Sequence, residues 1–228
     1  FGIDIQLHFS WYFVFLLLTW SLATAYFPLK LADYTTTTYW LMGALAALLL
    51  FISVLLHELS HSLVAKARNI KVESITLFFF GGVAGITKED MKPSSEFFMA
   101  IAGPLFSLLL SGIFFLIYKF NGNAITSAIT FYLFQLNLIL AIFNMVPGFP
   151  LDGGRAFRAI LYAWLKDLRK ATRIAAGAGK IFASFLVFLG IFGLISGVGG
   201  NGIWLILLGG FLYLIANASN EQVILRET

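Results

Sequence analysis

The sequence predicts an α-helical polytopic membrane protein with about six transmembrane helices and a small membrane-associated β-hairpin or sheet after the second helix. Three observations support this fold class. Of the 228 residues 60% are hydrophobic and only 11% are charged, the mean hydropathy is +0.90, and the apolar residues are grouped into long runs. Soluble globular domains carry about twice this share of charged residues and far fewer apolar ones.

A spanning helix needs about 20 predominantly apolar residues. Six runs of this kind are predicted as spans: residues 7–27, 39–65, 97–118, 125–146, 174–198 and 202–218. We expect residues 1–228 to form one transmembrane domain, integral to the lipid bilayer of the cell membrane.

The charged residues indicate topology and do not indicate nucleic-acid binding. The net charge is +4, but the basic residues form no long patch with interleaved aromatic residues. They gather in two gaps between apolar runs, at 66–92 and 155–173. Because cytoplasmic loops are enriched in Lys and Arg, both termini are predicted to be cytoplasmic.

Three connecting segments have patterns of their own. Residues 70–87 are rich in β-branched and aromatic residues and are interrupted by Gly81 and Gly82, which predicts a pair of strands. Residues 155–170 predict an amphipathic helix in the membrane interface. The run of four threonines at 35–38 predicts a short external loop.

The sequence "HELSH", residues 57–61, carries the strongest chemical signal in the second span. His57 and His61 are four residues apart, so a helix places both imidazoles on one face, where they can bind one metal ion. Glu58 lies between them and can reach a water molecule at that ion. Ionisable residues inside a spanning segment are costly and are functional by default.

A catalytic zinc site needs a third protein ligand, and the chain has no cysteine to supply it. Asp152 is favoured because it lies in "NMVPGFPLDGG", residues 144–154, where two prolines and a glycine interrupt the fourth span. Irregular backbone at membrane depth is tolerated only where it lines a protein-buried or watery cavity. The other acids considered are Glu73, Glu89, Glu96, Asp4, Asp33 and Asp167.

These two motifs together resemble the site-2 protease family of intramembrane zinc metalloproteases, in its compact form without a PDZ insertion. The resemblance implies one Zn²⁺ per chain, held by His57, His61 and Asp152. It also implies that Glu58 is the catalytic base and acid and that Asn144 contacts the substrate.

Two further stretches match the family's pattern. "FFFGGV", residues 78–83, resembles its glycine-containing surface strand, so Gly81 and Gly82 are predicted to receive an extended substrate. "AGP", residues 102–104, resembles its third-span motif, although Ser107 stands where many relatives carry Asn.

The resemblance implies hydrolysis of peptide bonds within or near transmembrane segments of membrane-protein substrates, in regulated intramembrane proteolysis. The alternative from another class is a membrane metal or ion transporter, which also buries His and carboxylates in broken helices but leaves Glu58 without a role. A membrane zinc protease with a downstream Glu ligand and a catalytically inactive interaction protein are further alternatives. A C-terminal regulatory CBS domain, absent from these residues, is compatible with the resemblance.

Overall fold

The computed structural model describes residues 4–70, 72–78, 81–86, 91–197 and 202–225. Three short strands and eight helices follow one another in these ranges. In chain order they are β1 (Asp4–Leu7), α1 (Ser10–Ser21), α2 (Phe27–Lys30), α3 (Thr36–Ala67), β2 (Val72–Phe78), β3 (Gly81–Ile86), α4 (Pro93–Phe120), α5 (Ala124–Asn144), α6 (Asp152–Leu165), α7 (Leu168–Ile195) and α8 (Gly202–Leu225).

The predominantly helical membrane fold predicted from the sequence is confirmed. In the described residues five helical stretches are long and apolar enough to cross a membrane: Ser10–Lys30, Thr36–Ala67, Pro93–Phe120, Ala124–Asn144 and Leu168–Ile195. The sixth predicted span corresponds to the shorter apolar helix Gly202–Ala218. At 1.5 Å per residue this apolar part is about 26 Å long, slightly less than the roughly 30 Å of a hydrocarbon core.

The first span begins later than predicted, because Leu7 belongs to a strand and the helix starts at Ser10. Between α1 and α2 the helix widens into a π-helical turn at Leu22–Tyr26. This turn lies just before Pro28, whose ring nitrogen has no N–H to donate to the preceding turn. The stretch from Ser10 to Lys30 stays helical, although Pro28 interrupts the regular series of backbone hydrogen bonds.

The three strands form one sheet in the order β1-β2-β3. β2 and β3 pair in antiparallel register, with Phe78 opposite Gly81 and Leu77 opposite Gly82. β1 pairs with β2 in parallel register, and the sequence did not predict this N-terminal strand. β3 is consequently an outer strand of the sheet.

The chain divides into two compact units. The first contains Phe1–Asp90 and Ala102–Ile142, and the second contains Met91–Ile101 and Phe143–Thr228. One apolar core of the first unit is made by Leu22, Phe27, Met42, Ala46, Ile129, Tyr132 and Leu133. In the described part of the second unit, one core lies around Phe149, Ala175, Ala176 and Ala216, and another lies around Leu151, Ala183, Leu186 and Leu212. That residues 1–228 act as one domain stays a prediction.

The segment predicted as one amphipathic helix at 155–170 is divided between two helices. α6 ends at Leu165, and Lys166 adopts a left-handed backbone with φ of +52°. Asp167 then caps α7, because its carboxylate accepts a 2.9 Å hydrogen bond from the backbone N–H of Lys170. This hydrogen bond is the main reason that the pKa of Asp167 lies below its ordinary value.

Candidate metal centre

The two histidines of the "HELSH" sequence lie one turn apart in α3. The Nε2 atoms of His57 and His61 are 3.2 Å apart, and both side chains are buried. The four-residue spacing brings both rings to one face of the helix, as the sequence predicted.

The distance between the two nitrogens suits a shared metal ion. Zinc binds histidine nitrogen at about 2.0–2.1 Å and prefers tetrahedral geometry, which separates two ligand nitrogens by about 3.3 Å. The observed 3.2 Å between the Nε2 atoms is close to that value. The pair therefore offers two of the four positions of a tetrahedral site.

Asp152 is the third residue of the group. The candidate ligand atoms of His57, His61 and Asp152 all lie within 4.8 Å of one another. In the part of the chain that the structure describes, they form the only cluster of three or more His, Asp or Glu groups with this proximity. Two imidazoles and one carboxylate, with a fourth position for water, is a donor set found in catalytic zinc sites.

Gly103 of α4 leaves space for an ion beside the histidine pair. A Cβ atom built on Gly103 would collide with the Nε2 atoms of both His57 and His61. Glycine at this position therefore leaves open the volume that the two nitrogens face. The sequence places Gly103 in the "AGP" motif but gives it no role, because local spacing carries no information on contacts between distant helices.

Ser107, a second residue of α4, contacts His57 at the ring nitrogen opposite Nε2. The Oγ atom of Ser107 lies 2.8 Å from Nδ1 of His57, and Ser107 is fully buried. Gly103 and Ser107 are four residues apart, so they lie on one face of α4.

The other predicted site residues lie on three elements. Glu58 follows His57 on α3 and is half-buried, and Asn144 is the last residue of α5 and is half-buried. Gly81 and Gly82 are the first two residues of the outer strand β3. The roles that the sequence assigned to these four residues stay predictions.

The backbone ahead of Asp152 departs from helical structure, as the sequence predicted. α5 ends at Asn144, residues 145–151 are irregular, and Asp152 is the first residue of α6. Several backbone hydrogen bonds support this segment; among them, the N–H of Phe149 donates to the carbonyl of Ala175 at 3.2 Å, and the N–H of Leu151 donates to the carbonyl of Gly148 at 3.1 Å. A carboxylate in the first turn of a helix also interacts favourably with the helix dipole.

An ion pair between the partly buried Arg158 and the buried Glu96 supports the same segment. Nε of Arg158 donates to Oε1 of Glu96 at 2.8 Å, and Nη2 contacts the same oxygen. The guanidinium carbon also lies 5.1 Å from the centre of the Phe149 ring, and Glu96 is only 2% exposed. Glu96, one of the acids considered as a third ligand, is thus bound to Arg158, which the sequence had indicated only as a topology signal. The only sequence feature that could have indicated this ion pair was the position of Glu96, an isolated acid at the edge of a predicted spanning run.

Similarity to known proteins agrees with this geometry. The family model of peptidase family M50 matches residues 45–131 and 121–189. A Synechocystis protein named as a putative zinc metalloprotease is 40% identical over 98% of this chain and 59% of its own length. Rip3 of Mycobacterium tuberculosis, which carries the same description, is 37% identical over 97% of this chain and 57% of its own length.

A solved structure is also similar. The site-2 protease from Methanocaldococcus jannaschii is 33% identical, with a TM-score of 0.61 over 96% of this chain and 91% of that one. The chain spans less than three fifths of the length of the two curated relatives above. The family model nevertheless matches well over half of its residues, and this chain belongs to peptidase family M50, the family of the site-2 proteases.

Proposed function

We propose that this chain is an intramembrane zinc metalloprotease that hydrolyses peptide bonds within or near transmembrane segments of membrane proteins, as in regulated intramembrane proteolysis. The observation that carries the proposal is the buried pair of Nε2 atoms, 3.2 Å apart on His57 and His61, with Glu58 next in sequence to His57. The related proteases support the reaction class.

In this proposal His57, His61 and Asp152 hold one Zn²⁺. Their proximity within 4.8 Å and the space left by Gly103 support this assignment. When bound, zinc supplies a Lewis acid that polarises the scissile carbonyl and lowers the pKa of water. The remaining steps belong to residues of the chain.

Glu58 serves as general base and general acid. Its carboxylate takes a proton from the attacking water and delivers a proton to the leaving amine when the peptide bond breaks. His57 lies nine residues before the exposed Lys66, which marks the cytoplasmic end of α3, so the site is about 14 Å below that surface. Water therefore has to reach this depth from the cytoplasmic side.

The substrate is a membrane-spanning protein whose helix unwinds, because helical carbonyls are engaged in their own hydrogen bonds. An unwound segment needs partners for its backbone. As an outer strand, β3 can supply them by β-augmentation, and Gly81 and Gly82 at its start allow close approach of another backbone. Asn144, eight residues before Asp152, is proposed to hold the substrate in place.

The proposed membrane topology is based on the distribution of Lys and Arg residues between the spans. The chain is an integral protein of the cell membrane with six spans and both termini in the cytoplasm, and Gly202–Ala218 is the sixth span. Residues 1–228 act as one transmembrane protease domain, to which a C-terminal regulatory CBS domain is a compatible addition.

Glu58→Gln tests the proposal. The variant should keep its fold and its zinc but lose cleavage of a reconstituted transmembrane substrate by at least the roughly 10²–10⁴-fold contributed by general acid–base catalysis. Cleavage is compared at matched zinc content, with Asp167→Asn as a control that makes the same acid-to-amide change outside the spans. Equal cleavage by wild type and Glu58→Gln would remove the role of Glu58.

The same experiment separates the protease from the transporter. A transporter would show metal flux in proteoliposomes and no proteolysis even in the wild type. The relatives described above are named as proteases and give no support to the transporter.

A further inference from the structure

Ser107 contacts His57 at Nδ1, the ring nitrogen that does not face His61. Its Oγ atom lies 2.8 Å from Nδ1 of His57, while Nε2 of His57 faces Nε2 of His61. Both partners of the hydrogen bond are buried, so water does not readily replace it. The two ring nitrogens of His57 are therefore engaged in different directions.

The chemistry of imidazole links these two directions. A neutral ring carries its proton on one nitrogen and a lone pair on the other, and the group bonded to one nitrogen determines which is which. A metal at Nε2 needs the lone pair there, which places the proton on Nδ1. That proton then needs an acceptor, and a serine hydroxyl oxygen is able to accept it.

We propose that Ser107 is a positioning residue for the metal centre: it accepts the Nδ1–H of His57, holds the ring in the tautomer with a free Nε2, and directs that nitrogen toward the ion. The inference rests on the proposed function, since it requires a metal at His57 and His61. In this inference the hydroxyl of Ser107 on α4 influences the metal affinity of His57 on α3, although the two residues are fifty positions apart in the sequence.

Gly103 and Ser107 lie four residues apart on one face of α4, and both contribute to the surroundings of His57. Gly103 leaves space at the Nε2 atoms, and Ser107 binds the opposite nitrogen of His57. Loss of such a supporting partner typically lowers metal affinity 10–100-fold. We expect a loss of this size when the hydroxyl of Ser107 is removed.

The experiment compares Ser107→Thr with Ser107→Val. These two side chains have nearly the same shape, so any crowding by the added methyl group affects both, and only threonine keeps the hydroxyl. Zinc affinity is measured on the whole protein in detergent by competition with a chromophoric chelator. The visible spectrum of the cobalt-substituted protein reports the geometry of the ligands. We expect Ser107→Thr to bind zinc within about threefold of wild type and Ser107→Val to bind about 10–100-fold more weakly, with altered cobalt bands.

Ser107→Ala and Ser111→Ala provide the matched control. Ser111 is also a buried serine of α4, four residues further along, and its hydroxyl donates to the backbone carbonyl of Phe134. Ser107→Ala should weaken zinc binding, while Ser111→Ala should leave zinc affinity and the cobalt spectrum unchanged.

The outcomes distinguish failure of this inference from failure of the proposed function. If Ser107→Val and Ser107→Thr bind zinc equally, or Ser107→Ala matches Ser111→Ala, the hydroxyl has no positioning role although the metal site stands. If the wild type binds no zinc through His57 and His61, both the proposed function and this inference are overturned.

Discussion

The histidine pair and the acid of the candidate centre are supported by different kinds of backbone. His57 and His61 lie inside the continuous helix Thr36–Ala67, in which backbone hydrogen bonds are local. Asp152 follows the irregular residues 145–151, whose hydrogen bonds include one from Phe149 to Ala175, twenty-six residues away. The backbone that carries the histidine pair thus depends on local sequence, while the backbone that carries the acid depends on distant residues.

The two parts should therefore tolerate different substitutions. A helix in the membrane keeps its shape when single side chains change, so the histidine pair should respond mainly to added atoms that crowd its nitrogens or to the loss of a direct partner. The segment before Asp152 should respond to changes at residues that never contact a metal. Three substitutions probe this comparison.

The largest effect is expected for Gly103→Ala. The added Cβ atom would collide with the Nε2 atoms of His57 and His61 and occupy the space that they face. We expect zinc affinity to fall by more than the roughly 10–100-fold typical of losing an outer partner, and proteolysis to be lost with it. Zinc content after dialysis and chelator competition measure the change.

Gly112→Ala is the matched control. It makes the same change on the same helix, where an added Cβ atom meets nothing within 4 Å. Zinc binding should be retained, and helix stability should rise by up to about 1 kcal/mol, because alanine favours helix more than glycine. Normal zinc affinity in Gly103→Ala would show that the metal does not bind in the space beside the pair.

The second effect should come from Arg158→Met, which breaks the ion pair with the buried Glu96. Removing one partner leaves a carboxylate buried without its counter-charge, which costs about 3–5 kcal/mol. We expect a lower thermal unfolding midpoint and weaker zinc binding, since the Arg158 side chain also packs on Phe149 ahead of Asp152.

Two further variants sharpen this test. Lys170→Met breaks the exposed pair with Asp167, in which the lysine side chain is 70% exposed, and should change stability little. The double variant Glu96→Gln with Arg158→Met removes both charges and should recover part of the stability lost in Arg158→Met. If Arg158→Met unfolds at the same temperature as Lys170→Met, the acid segment does not depend on this pair.

The parts of the molecule that the sequence predicted are those determined by local patterns. Apolar run length located the helices, the four-residue step brought His57 and His61 together, and the two prolines indicated the irregular segment after Asn144. Each of these signals is contained within a few helical turns of sequence.

The unpredicted parts require contacts between distant residues. Strand β1 is four residues long and is defined by parallel pairing with β2, some seventy residues later. The ion pair joins residues 62 positions apart, and the contact of Ser107 with His57 spans 50. Spacing within one segment carries no information on such pairs.

The threonines at 35–38 show that a local signal can also mislead. The run predicts an external loop, but only Thr35 precedes the helix, and α3 begins at Thr36. The hydroxyl oxygen of Thr35 accepts a 3.2 Å hydrogen bond from the N–H of Thr38. A threonine at this position caps a helix, so the run marks the start of α3.

The smallest effect is expected for Thr35→Ala, which removes that cap. Loss of a capping hydroxyl costs about 1 kcal/mol, so thermal stability should fall modestly. Zinc affinity should not change, because His57 is 22 residues along α3, about 33 Å from the cap, and fraying is confined to the first turn. Thr37→Ala removes the same atoms from a neighbouring exposed threonine that does not cap the helix, and it should be neutral or slightly stabilising. If Thr35→Ala weakened zinc binding, the backbone at the histidine pair would depend on residues at the far end of α3 and not only on its own helical turns.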